Sequence, residues 1–357
     1  MTQAALRLVE NDPPTILSVG TAVPRFRMEQ QELSALAPRM FDPQRSEVDR
    51  LMPVFDHAGI AMRYSCVPLD WYLRPHGWAE RNALYVENAV DLLSDAATTA
   101  LAEAGRKPAD IAAVVVASTT GIATPSLDAL LMNRLGLSTD VVRLPIFGLG
   151  CAGGVVGLSH AAALARTLPE GDVLFLTVEL CALTFRHGDM SNSNIIAAAL
   201  FGDGAAAMVI GHPGSPGIRL GASGMKTWPN SLGVMGWHVE DDGLGVLFTR
   251  DIPYLVRSRM RDATTEFLER CGLSRRDLAG FVCHPGGAKV LDALEEVFDL
   301  APGAMGIARQ VLRDYGNMSA ATVLFVLREM MAQGLGGRHL MSALGPGFSA
   351  AFQVLEG

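Results

Sequence analysis

The chain has 357 residues, 49% of them hydrophobic, and carries 29 basic against 37 acidic side chains for a formal net charge of −8. That length buries a sizeable core and points to two fused halves, while the negative balance argues against a nucleic-acid surface. Five cysteines without a Cys-x-x-Cys pair argue against a disulfide framework or a zinc ribbon and fit a reducing, cytoplasmic location.

Residues 1–14, with Arg7, Glu10 and Asp12 and no long apolar run, read as a loose arm and not as a signal peptide. Thr15 to Val23 reads as a first strand, 28–57 as helix in pieces interrupted by Pro38, Pro43 and Pro53, and 65–78 as an aromatic-rich loop. From Glu80 to Ala104, apolar residues at 86, 89, 90, 93, 97, 100, 101 and 104 follow helical spacing, and Gly105 and Pro108 stop it. Asp110 to Ser118 is a continuous apolar run, the pattern of a strand covered on both faces. Thr124-Pro125 is expected to open the next helix, with a capping hydroxyl and proline at its first position, and Gly136 to end it.

Leu144 to Ala165 is 22 residues without a charge, long enough to suggest a membrane span. Pro145 and four glycines between 148 and 154 break the pattern early, leaving about 15 residues, the length of a buried core helix. No transmembrane segment is therefore expected. Asp172 to Leu180 is another buried strand, 181–200 a polar-centred insertion, and Phe201-Gly202-Asp203-Gly204 a turn into the strand Ala205 to Ile210. A Gly/Pro cluster at 211–217 marks a linker, which divides the chain into halves at 15–212 and 213–357.

The second half repeats the first. Gly105 and Asp110 correspond to Gly272 and Asp277 at an offset of 167, and Leu127-Asp-Ala-Leu130 to Leu291-Asp-Ala-Leu294 at 164. Shared offsets in the same order imply a duplicated α/β unit. Cys151, in Gly150-Cys151-Ala152-Gly153-Gly154, opens an apolar helix whose N-terminal amides favour a thiolate, although a lone cysteine is ordinarily a buried structural one. Its counterpart is Asn317, in Tyr315-Gly-Asn-Met-Ser-Ala-Ala-Thr322, and the strand ending near Ala117 corresponds to one ending in Cys283-His284-Pro285-Gly286-Gly287. Two halves related by a pseudo-dyad bring Cys151, His284 and Asn317 together. Taken singly, His284 equally suits a satisfied core histidine and Asn317 a helix cap.

These motifs, with Gly345-Pro346-Gly347-Phe348 near the C-terminus, resemble in sequence and order the type III polyketide synthases, the chalcone-synthase-like branch of the thiolase fold. The resemblance implies a five-layered α/β/α/β/α arrangement of two duplicated halves, a homodimer, and iterative decarboxylative condensation of an acyl-CoA with malonyl-CoA. It implies that Cys151 holds the growing chain as a thioester, that His284 keeps it in thiolate form, and that His284 and Asn317 stabilise the malonyl-derived enolate. Phe201 matches the family's gatekeeper phenylalanine. Val246 falls where a second gatekeeper phenylalanine usually stands and Trp237 where a small residue lines the cavity, while Cys181, Thr184 and Ser319 fall at other lining positions. A less aromatic gate favours an aliphatic starter and an alkylpyrone or alkylresorcinol product. Arg50 and Lys289 match basic positions at the coenzyme A tunnel. The sequence contains no metal-spaced His/Cys set and no phosphate loop, so no cofactor beyond the CoA substrates is implied. Alternatives are a single condensation of the ketoacyl synthase III kind, a phloroglucinol-type synthase using malonyl-CoA only, and a catalytically idle lipid-binding partner.

Overall fold

The computed structural model describes residues 12–41, 53–249 and 251–357. Its strands are β1 (Thr15–Ala22), β2 (Phe26–Glu29), β3 (Met62–Ser65), β4 (Ile111–Ala117), β5 (Val142–Ile146), β6 (Asp172–Leu180), β7 (Asp203–Gly211), β8 (Ile218–Thr227), β9 (Met235–Glu240), β10 (Gly243–Phe248), β11 (Gly280–Cys283), β12 (Arg338–Gly345) and β13 (Ser349–Glu356). Nine of them form one sheet in the order β11-β12-β13-β8-β1-β7-β6-β4-β5.

The duplication is visible in that order. Starting at the seam, β1 pairs antiparallel with β7, β7 antiparallel with β6, and β6 parallel with β4. On the other side β8 pairs antiparallel with β13, β13 antiparallel with β12, and β12 parallel with β11. The seam itself is narrow, two residue pairs between β1 and β8, so the halves are free to fold over one another.

Two helices lie between them. Helix Gly153–Thr167 packs on β4, β6 and β7 of its own half and on β8, β12 and β13 of the other, and helix Thr322–Ala332 packs on β11 of its own half and on β1 and β7 of the other. Outside, helix Trp78–Ala104 covers β1, β6 and β7, and helices Ile252–Arg270 and Ala288–Val297 pack together on the far side. The result is the five-layered thiolase-like arrangement. Strands covered on both faces need apolar side chains at every position, and β4 meets this by alternation. Ala113, Val115 and Ala117 face the core shared with the central helices, while Val114 and Val116 face the core under Trp78–Ala104, joined there by Ile111 across a register irregularity before Ala113.

The uncharged stretch from Leu144 resolves into the end of β5, a turn, and a helix of 15 residues, Gly153–Thr167. No helix among the described residues is long and apolar enough to cross a membrane. Three expectations need correction. The helix expected from Thr124-Pro125 starts at Leu127, with Ser126 extended at its N-cap. The 181–200 stretch contains a helix, Asn192–Leu200, whose start is fixed by the Ser191 side chain accepting from the Asn194 N–H at 3.2 Å. The stretches read as helix pieces and loop begin in strand, Met28 and Glu29 in β2 and Ser65 in β3, and these two strands pair with each other. Pro43 and residues 1–11 of the expected arm lie outside the described residues.

Gly154 explains how closely the central helices meet. A Cβ on Gly154 would stand 2.3 Å from the Ala320 carbonyl oxygen and 2.8 Å from a Val323 methyl. Backbone against backbone leaves no flexible side chain to yield, so Gly154→Ala is expected to cost about 3 kcal/mol through overpacking. Gly306→Ala, at a glycine with open space around it, is expected to stay within about 0.5 kcal/mol of the parent. Urea unfolding of both variants checks the contrast.

Candidate active site

Three chain reversals deliver the polar residues. The segment after β5 turns at Gly150–Ala152, placing Cys151 one turn before the Gly153–Thr167 helix. The Gly150 N–H donates to Thr119 Oγ1 at 3.1 Å, tying this turn to the end of β4. His284 follows β11 and is held by its backbone N–H donating to Ser342 O at 2.9 Å. Asn317 follows Gly316, whose φ of 70° suits glycine, and precedes the turn Ser319–Ala321 that opens the second central helix. Cys151 thus sits inside its turn, whereas Asn317 lies two residues ahead of the corresponding one. Ser319 itself has a φ of 46°, an uncommon conformation for a residue with a Cβ.

Cys151, His284 and Asn317 line one cavity of about 530 Å³, with Ser319, Cys181, Phe201, Trp237, Val246 and Lys289 also in its wall. Lys289 is exposed at the start of helix Ala288–Val297, and so is His57, a lining residue that no sequence signal singled out. Thr184 is not in this wall. The turn Cys181–Thr184 directs it to a small void beside Trp78 and Arg81, where its hydroxyl donates to Cys181 O at 2.8 Å. Arg50 lies outside the described residues.

Cys151, His284 and Asn317 are all buried, and the titrating groups respond. Burial pushes the Cys151 thiol up to about 12, partly offset by Ser319, whose Oγ accepts from Sγ at 3.5 Å. Burial holds the His284 imidazole down at about 3, and neither ring nitrogen has a hydrogen-bond partner. Each group is thus disfavoured as a lone ion. Proton transfer from Cys151 to His284 would create both ions in the same cavity, where each offsets the other's loss of water. The Asn317 side chain is fixed: Oδ1 accepts from the Ser319 N–H at 2.9 Å, and Nδ2 donates to Gly286 O at 3.3 Å.

Glu179 is a further buried group. It is fully enclosed in β6, accepts from the Thr119 N–H at 3.0 Å and the Thr120 hydroxyl at 2.9 Å, and receives the Ser319 hydroxyl at 3.4 Å. Burial raises its carboxyl to about 7. The sequence signal was present, a lone acid within the apolar run Val-Leu-Phe-Leu-Thr-Val-Glu-Leu.

The gate also differs from expectation. Trp237 and Val246 are directly paired across the β9–β10 ribbon. The aromatic character absent at Val246 is supplied two residues later, because Phe248 meets Phe201 edge-on with ring centroids 6.1 Å apart. The less aromatic gate read from Val246 is corrected accordingly.

Comparison with known proteins gives a consistent result. Sequence models of chalcone and stilbene synthases match the chain, the N-terminal domain over residues 2–214 and the C-terminal domain over residues 219–352. A Bacillus subtilis (strain 168) protein named for chalcone synthase is 37% identical, over 94% of this chain and 96% of the relative. The 1,3,6,8-tetrahydroxynaphthalene synthase of Streptomyces peucetius subsp. caesius is 34% identical, over 96% of this chain and 93% of the relative. The crystal structure of the 1,3,6,8-tetrahydroxynaphthalene synthase of Streptomyces coelicolor A3(2), a bacterial type III polyketide synthase, superposes with a TM-score of 0.90 at 28% identity, covering 96% of this chain and 98% of the other.

The Glu179 shift has a definite sign. A carboxyl raised in the folded state, from 4.5 to about 7, contributes stability that is complete below the lower value and lost as pH rises through the upper one. Unfolding measured at pH 4.5 and pH 8 is expected to show the parent losing roughly 3 kcal/mol relative to Glu179→Gln over that interval. A pH-independent difference would contradict the assignment.

Proposed function

Because this chain belongs to the chalcone and stilbene synthase family of type III polyketide synthases, we propose that it builds a poly-β-keto chain from malonyl-CoA with Cys151 as acyl carrier. The observation that carries the reading is the convergence of Cys151, His284 and Asn317 on one cavity. Cys151, deprotonated by His284, attacks the thioester carbonyl of an acyl-CoA, and coenzyme A leaves as its thiolate. Malonyl-CoA then loses CO2. His284 and Asn317 donate to its thioester oxygen, where the enolate charge develops. The enolate carbon attacks the acyl-Cys151 carbonyl, the C–S bond breaks, and a β-ketoacyl-CoA two carbons longer leaves or reloads. Lys289 and His57, exposed residues that line the cavity, are the candidates for meeting the anionic phosphates of coenzyme A.

For the starter, malonyl-CoA itself is the reading best supported by the tetrahydroxynaphthalene synthases among the relatives. Oxygen on alternate carbons of a fused aromatic is what a cyclised poly-β-keto chain leaves behind. A second reading, an aliphatic acyl-CoA closing to an alkylpyrone or alkylresorcinol, is favoured by the apolar wall at Ile196, Leu200, Val246, Leu247 and Met260. Homodimer formation is proposed through β5, a sheet-edge strand beside which Val142 and Phe147 are 43% and 57% exposed; light scattering is expected to read twice 38.0 kDa.

One experiment separates the starters. Purified chain is given malonyl-CoA alone or with acyl-CoAs of graded length, and products are identified by mass spectrometry. Aromatic product from malonyl-CoA alone supports the first reading, and alkyl-bearing product only with an acyl-CoA supports the second. Cys151→Ala is expected to abolish condensation, a loss of at least about 10³-fold. Undiminished condensation in that variant, or no condensation by the parent with any substrate, would overturn the proposal.

A further inference from the structure

Behind the cavity wall, where the Phe201 segment crosses the Asn317 segment, lies a buried arginine that the chemistry above does not use. Arg63, on β3, is 3% exposed. Helix Asn192–Leu200 ends beside it, and the last carbonyls of a helix lack partners within the helix and carry its negative end. The Arg63 guanidinium meets them. One terminal nitrogen donates to Ala198 O at 2.8 Å and to Phe201 O at 2.7 Å, and the other donates to Ala199 O and to Gln30 Oε1. Gln30 in turn donates through Nε2 to Ala199 O at 3.0 Å and to Phe55 O at 2.9 Å.

The same stretch is bonded directly to the active-site asparagine. The Asn317 N–H donates to Leu200 O at 2.9 Å and the Gly202 N–H to Asn317 O at 3.0 Å. Gly316, next to Asn317, is so close that a Cβ there would meet the Cβ of Arg63 at 3.4 Å. A guanidinium in a dry interior is costly unless its donors are used. Here Nε has no partner, and the two terminal nitrogens donate four bonds, three of them to backbone oxygens of the segment that carries Phe201.

Resting on the catalytic reading above, we propose that Arg63 is a positioning residue that fixes Phe201 and Asn317 relative to each other and thereby governs the malonyl half-reaction without touching substrate. The turn that carries Cys151 is held by a separate contact, from the Gly150 N–H to Thr119 Oγ1 beyond the end of β4, that involves neither Arg63 nor Asn317. Loss of Arg63 therefore acts on one half-reaction and spares the other. A general loss of structure acts on both.

The test uses the full chain and two rates: CO2 release from malonyl-CoA, which needs Asn317 in place, and alkylation of Cys151 by iodoacetamide, which does not. Arg63→Met keeps the stem and removes the donors. It is expected to lower decarboxylation by at least about tenfold, as small misplacements of reacting groups do, with alkylation within about twofold of the parent. Arg63→Lys restores a cation without the planar fork and is expected to fall between. Unchanged decarboxylation in Arg63→Met, or both rates falling in proportion to the folded fraction seen by circular dichroism, overturns the inference. Should Arg63→Met fail to fold, Arg63→Lys decides: at least about threefold slower decarboxylation with unchanged alkylation supports positioning, and unchanged decarboxylation refutes it. A parent chain that neither decarboxylates malonyl-CoA nor condenses it refutes the catalytic reading instead.

Discussion

The contact between the two central helices governs the rest of this structure. Gly154 brings one helix backbone against the carbonyl of Ala320 at the start of the other, and both helices are wedged between the sheets of the two halves. Close backbone approach is possible only where no side chain intervenes. It places the turn bearing Cys151 against the turn that follows Asn317, so the geometry of the candidate site is set by the same packing that holds the halves together. His284 joins from the end of β11, paired to β12 in the second half of the main sheet. Each of the three side chains is thus anchored to a buried element of the main core.

Enclosure is the second determinant. The cavity favours neutral Cys151 and neutral His284 when each is considered alone, so charge is best accommodated there as a pair. In a medium that solvates ions poorly, fixed donors stabilise developing negative charge more strongly than they would in water. Asn317, locked by Ser319 and Gly286, is such a donor. Glu179 lies under the same floor and reaches Ser319, which also contacts Cys151, so its protonation state is felt close to the nucleophile.

Much of this was legible in the chain itself. Apolar runs identified β4 and β6, and helical spacing identified Trp78–Ala104. The offset repeat links the Cys151 turn, the His284 strand end and Asn317. What escaped has identifiable causes. Helix Asn192–Leu200 begins with Asn-Ser-Asn and then runs Ile-Ile-Ala-Ala-Ala-Leu, an unbroken apolar run without the polar spacing that marks an amphipathic stripe. Thr184 was misplaced because a short 3₁₀ turn, invisible in the pattern, rotates it away from Cys181's cavity. Phe248 was missed because the gate was sought at one aligned position, and a ribbon lets a residue two further along supply the ring. Arg63 resembles any surface charge in a short polar strand. Its role depends on where a helix 130 residues later ends, which local pattern does not contain.

The β9–β10 ribbon carries Trp237, Val246 and Phe248 into the cavity yet pairs with none of the nine strands of the main sheet. The residues that shape the chamber are therefore largely separate from those that hold the fold together. Side chains on this two-stranded flap stand apart from the central helices, so a change in the dimensions of the chamber need not move Cys151, His284 or Asn317. Such a division lets one scaffold acquire new products by altering an appendage.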